Sequence, residues 1–279
     1  MKRRLRLIAL LLSVFLVLSI KAALAADPVK TTDYFNIHYG SWQGVAEAIT
    51  PYLNAAFTTP RDVLGYDNGG YGKIDVYFYS DPKSGTAGYT YPGENAIHIN
   101  LLYGDSTKDS YLRDYGSTVA HETGHVLFFH ETKLQNRYAW GSSGAAAYTW
   151  VSESLSYYIG DVAYPHGPQY SKAQLGSMVN SYSSNGSKRV SWLTSGSNYM
   201  QGAASSLDLV QLKTIGKYLA DSGGWGAIQD ALRYLASGND YDTAFRKAFG
   251  KETGMTGTAS GADVNTLYSG YINYYLGHY

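Results

Sequence analysis

The chain has 279 residues, with 22 basic and 22 acidic side chains, 28 tyrosines, 31 glycines and no cysteine, so disulfides and lipid attachment through a thiol are excluded. Residues 1–25 hold Lys2, Arg3, Arg4, Arg6 and Lys21 but no acid, which leaves 17 basic against 22 acidic residues in the remainder. That mildly acidic balance argues against nucleic acid or an anionic membrane as a partner, because affinity for phosphate needs a basic patch.

The first element is a leader. A basic start, an apolar run of 14 residues from Leu7 to Ile20 and the small-residue sequence Ala23-Leu24-Ala25 read as a secretory signal cleaved after Ala25. The run is short of the roughly 20 residues a membrane-spanning helix requires. A secreted, extracellular protein without a membrane anchor after cleavage, monomeric in solution, is expected.

YFNIHY at 34–39 alternates and predicts a strand. Ser41 is placed to cap a helix running to about Phe57, with Trp42, Val45, Ala46, Ile49, Tyr52 and Leu53 on one face. The DNGG sequence at 67–70 lacks the acidic density of a calcium loop and reads as a turn. IDVYFY at 74–79 predicts a second strand, the Gly- and Pro-bearing stretch 80–94 a loop, and NAIHINLLY at 95–103 a half-buried strand at an edge. Helical periodicity dominates from there, over about 110–131, 150–163, 171–180, 202–221, 225–236, 240–249 and 263–276, with Gly/Ser loops at 141–144, 183–187 and 222–224. The expected fold class is α+β: an N-terminal mixed-sheet lobe over 26–132 and a mainly helical lobe over 133–279.

Chemistry concentrates in HETGHVLFFH at 121–130. Helix positions i and i+4 share one face, so His121 and His125 can point imidazole nitrogens at one ion. Glu122, rotated about 100° from His121, suits a base acting on water better than a third ligand. His130 lies five residues past His125, too far around the axis to join, and belongs to the helix's last turn, where a cation is favoured. The third ligand is expected in TWVSESLSYYIGD at 149–161, as Glu153; the alternative is a carboxylate that only favours its helix's N-terminal dipole. His38, His98, His166 and His278 have no partners at ligand spacing and read as ordinary polar residues.

With Glu153 in a W-V-S-E-S-L-S-x-Y context, His121-Glu122-Thr123-Gly124-His125 resembles the gluzincin class of zinc metallopeptidases. The 27 residues between His125 and Glu153 look most like the spacing of bacterial collagenase-type catalytic units. The likeness spans about residues 32–220 and is strong only at the two ligand segments. It implies a zincin-like fold, a Zn2+ ion held by His121, His125 and Glu153, and a protein or peptide substrate cleaved with Glu122 as general base. It also implies a tyrosine that stabilises the oxyanion, here Tyr199 with Tyr157 as second choice, and an edge strand for the substrate, here 95–101. Two positions depart from the class: Tyr157 stands where thermolysin-like enzymes have an aspartate, leaving Asp161 as a candidate partner for a zinc histidine, and Ser152 stands where many have asparagine. Against the endopeptidase expectation stand an exopeptidase and an exported peptide- or glycan-binding protein on the same scaffold without proteolytic activity. The intact Glu122 separates the last, since a binding site has no use for a base.

Overall fold

A computed structural model describes residues 28–136, 143–165, 171–182, 206–251 and 266–276. The chain is α+β, a small mixed sheet with a larger body of helices. In order, the elements are β1 (Val29–Thr31), β2 (Phe35–His38), α1 (Gln43–Leu64), β3 (Ile74–Tyr79), β4 (Gly88–Tyr89), β5 (Ala96–Asn100), α2 (Asp109–Thr132), α3 (Ser143–Ala163), α4 (Lys172–Tyr182), α5 (Ser206–Ala236), α6 (Tyr241–Phe249) and α7 (Leu267–Leu276).

Strand order is β1-β2-β3-β5-β4, with β2, β3 and β5 parallel and the two outer strands antiparallel to their neighbours. Period-2 alternation sorts the side chains. Phe35, Ile37, Ile74, Val76, Phe78, Ile97 and Ile99 are buried on the face toward the helices, while Asn36, His38, Asp75, Tyr77 and His98 are half-buried on the other. The edge expected at 95–101 is therefore not there. β5 lies between β3 and β4, because the Gly-bearing loop after β3 folds back and contributes its own two-residue strand outside it.

Phe57 joins α1 to the sheet through an edge contact with Phe35 and a stack on Tyr34. The helix starts without a side-chain cap, at Trp42 rather than Ser41, and continues past the predicted end to Gly65, whose φ of 71° closes it. Pro60 removes a donor and costs about 3 kcal/mol in a helix interior. Burial of Val63 and Leu64 in the extra turn, worth roughly 1.5–3 kcal/mol each, offsets it. α2 follows its predicted span closely and turns off at Lys133, with φ 53°. α3 begins seven residues before the predicted 150. The break expected at 222–224 is a kink at Gly224 within α5, with φ 68° and ψ 178°. One continuous buried cluster runs from Phe35 to Tyr275 through both expected lobes.

Candidate metal centre

α2 is buried along most of its length between α1 and the sheet on one side and α3 on the other. His121 and His125 sit one turn apart on it, with their Nε2 atoms 3.1 Å apart. Glu153 on α3 brings Oε2 to 3.5 Å from His121 Nε2 and 3.4 Å from His125 Nε2. That oxygen is buried and has no hydrogen-bond partner. A four-coordinate ion with bonds of roughly 2.0–2.1 Å holds its ligand atoms about 3.3 Å apart. The three atoms thus form a triangle of the right size for one face of such a site. Glu122 also lies close: His121, Glu122 and His125 offer ligand atoms within 4.8 Å of one another and could hold a metal ion. Of the two carboxylates, Glu153 is the nearer to both imidazoles.

The two carboxylates are driven apart electrostatically. Burial alone would raise Glu153, but His125 and His121 outweigh it and hold the carboxyl well below the usual range. Glu122, 5% exposed, is pushed up to about 7 by burial, with Glu153 adding to the rise and His121 opposing it. One is a fixed anion, the other a group that can take and give a proton near neutral pH. The dipole account of Glu153 fails, because α3 starts at Ser143 and the residue stands ten places inside.

Ser152 supplies a contact that the sequence alone did not reveal. Its buried Oγ lies 2.6 Å from His125 Nδ1. In the tautomer that presents Nε2 to an ion, Nδ1–H donates to this hydroxyl and fixes the ring. Tyr157 puts its ring against His121 in a T-shaped contact at 4.5 Å.

The spacing of α2 and α3 is set by small residues. A Cβ built on Gly124 would lie 2.9 Å from Ser156 Oγ and 3.3 Å from Ile159 Cδ1, and one on Gly160 3.1 Å from the carbonyl and hydroxyl oxygens of Ser117. One glycine on each helix therefore lets the two backbones approach beside the ligands. Behind α3, Gly216 of α5 packs on the Ser154 carbonyl, so the helix carrying Glu153 is held from both faces.

Other expectations fare differently. Tyr199, His166 and His278 lie outside the described residues. Asp161 pairs with Lys213 at 2.6 Å. His130 does lie in the last turn of α2, but as a buried neutral group and not a cation. It is 1% exposed, its Nδ1 lies 2.6 Å from Asn68 Oδ1, Tyr71 stacks on it at 3.6 Å, and burial lowers its pKa to about 4. Asn68 in turn donates to Gly72 O and Asn95 Oδ1, so the DNGG segment is a structural turn braced against α2.

The real edge strand, β4, passes over the site. A Cβ on Gly88 would meet Thr118 Cγ2 at 2.8 Å and Glu122 Cγ at 3.2 Å, so only glycine permits this approach. A two-residue strand leaves no periodicity to detect, although Gly88 within a loop of glycines and prolines marked the region as irregular. Comparison with known proteins adds no relative: no family, curated protein or solved structure matches the chain.

Proposed function

We propose that the chain is a secreted zinc-dependent peptidase of gluzincin type, with His121, His125 and Glu153 as ligands and Glu122 as general base. The observation that carries the reading is the triangle of His121 Nε2, His125 Nε2 and the orphaned Glu153 Oε2, with a second carboxylate of opposite protonation tendency beside it. A closed structural zinc site takes four protein ligands and needs no base, whereas this set has three and a base. Zincin-like is the fold we assign on the order of strands, helix and ligand helix.

Zinc, when bound, supplies carbonyl polarisation and acidified water. Glu122 receives a proton from the attacking water, whose oxygen bonds to the peptide carbonyl carbon. It returns that proton to the leaving amine as the C–N bond breaks. With a divalent cation held by His121, His125 and Glu153, the Glu122 carboxyl would be favoured in its ionised form, ready to act as a base at neutral pH. Ser152 holds His125 in its ligand tautomer, and the Tyr157 ring limits rotation of His121. An extended peptide reaches the site along β4, not along 96–100.

Metal analysis of the purified protein, with casein, gelatin and peptide cleavage compared between wild type and Glu122→Gln, tests the reading. About one zinc per chain with cleavage lost in the variant is expected. Bound zinc with no Glu122-dependent cleavage of any substrate would favour the binding protein instead.

A further inference from the structure

The sheet face turned away from the helices carries a column of rings. His38 of β2, Tyr77 of β3, His98 of β5 and Tyr89 of β4 are successive cross-strand partners. Their rings lie nearly parallel: His38 and Tyr77 at 4.3 Å and 16°, Tyr77 and His98 at 5.4 Å and 19°, His98 and Tyr89 at 4.4 Å and 10°. Asp75 holds His38 through a hydrogen bond at 3.0 Å, and Glu94 lies 3.5 Å from His98 Nε2 without a hydrogen bond to it. Four rings in register across four strands are a sheet-wide version of the aromatic cross-strand pair. The column ends on β4, and among the described residues no strand pairs with the outer edge of β4.

The backbone of β4 is arranged to accept one. Asn100 N–H donates to Ala87 O at 2.8 Å, while Gly88 pairs with Ile99 and Tyr89 with His98. In an antiparallel ladder, mutually bonded pairs alternate, so the N–H and C=O of Gly88 point to the open edge. A peptide bonding to Gly88 places its neighbouring residue directly opposite Tyr89, with that side chain on the column face. Its alternate side chains fall on the Gly88 face, toward Glu122.

Resting on the peptidase reading above, we propose that the column is a specificity device: the substrate residue opposite Tyr89 is selected for an aromatic ring, which becomes the fifth in the stack. Tyr89 is the specificity-determining residue, and Tyr91, 61% exposed with its ring edge-on to Tyr89 at 5.3 Å, flanks the position. Selection operates on the side of the sheet opposite the chemistry, so it leaves the residues facing Glu122 unconstrained by the column.

The test presents zinc-loaded protein with short peptides in which one tyrosine is walked through an otherwise small and aliphatic sequence. We expect kcat/KM to rise about ten-fold when tyrosine occupies one fixed position relative to the cut, with phenylalanine and tryptophan equivalent and leucine not. Tyr89→Leu should reduce that ratio to about two-fold while Tyr89→Phe retains it. Cleavage indifferent to where the ring stands overturns the inference and leaves the peptidase reading intact; because it is seen in wild type, it does not depend on a variant folding. If no peptide is cleaved in a Glu122-dependent way, the peptidase reading falls, and binding of the same peptides by fluorescence anisotropy decides the column. A Tyr89-dependent ring preference supports it, and no preference or no binding overturns it.

Discussion

Replacing His130 with glutamine tests how the far end of α2 is anchored. The Asn68 amide nitrogen donates to Gly72 O at 2.9 Å and Asn95 Oδ1 at 3.0 Å, which leaves its Oδ1 as the acceptor for His130 Nδ1–H. Nε2 is then a bare acceptor, buried without a partner, and protonating it would create a buried cation with an unmatched N–H. Burial accordingly lowers the pKa from 6.5 to about 4, which corresponds to about 3 kcal/mol. Between those values the unfolded chain binds the proton and the folded chain does not. His130 therefore contributes stability above pH 6.5 that is progressively lost as pH falls toward 4. Urea unfolding of wild type and His130→Gln, followed by tryptophan fluorescence in chelator from pH 8 to 4, isolates the difference. The variant should be less stable by about 1–2 kcal/mol at pH 8, through a poorer hydrogen bond and loss of the Tyr71 stack. The gap should close and reverse below pH 5. Stability curves that stay parallel to within about 0.5 kcal/mol would refute the buried neutral imidazole.

Gly124→Ala inserts a methyl 2.9 Å from Ser156 Oγ and forces α3 away from α2, so we expect a loss of about 1–3 kcal/mol in stability. Zinc affinity should weaken at least about ten-fold in a competition titration, and unchanged affinity would show that the helix spacing does not set the ligand geometry. Ser152→Ala removes the hydroxyl partner of His125 Nδ1 and should weaken zinc binding about ten-fold with little change in the fold by circular dichroism. Glu122→Gln should lower cleavage by about 10²–10⁴ at wild-type zinc content. In the metal-free protein the same change should stabilise. A carboxyl raised from 4.5 to about 7 keeps its full contribution below pH 4.5 and loses it as pH rises through 7, a cost of up to about 3 kcal/mol that glutamine lacks. A metal-free variant no more stable than wild type at pH 8 would argue that Glu122 is ordinarily ionised there.

The residues that announced themselves in the sequence were those whose chemistry depends on local spacing. His121 and His125 share a helix face by the 3.6-residue period, and the strands at 35–38 and 74–79 follow from alternation, so both were legible without tertiary information. Glu153 was legible as a carboxylate on an apolar helix, but its approach to the imidazoles depends on glycines at 124, 160 and 216, whose value lies in the neighbour each one admits. The edge strand was misplaced because strand order is a long-range property: nothing within 95–101 encodes that residues 88–89 will fold outside it.

Covalent order and helix geometry are enough to place two imidazoles and a carboxylate together on one helix. Tertiary structure alone decided the rest. It brought Glu153 within 3.5 Å of both imidazoles, made His130 a buried neutral anchor rather than a cation, and lined four rings across the sheet face turned away from the helices. The physical reason is common to all three. Burial and contact across separate elements depend on which surfaces the whole chain brings together, and no window of neighbouring residues contains that information.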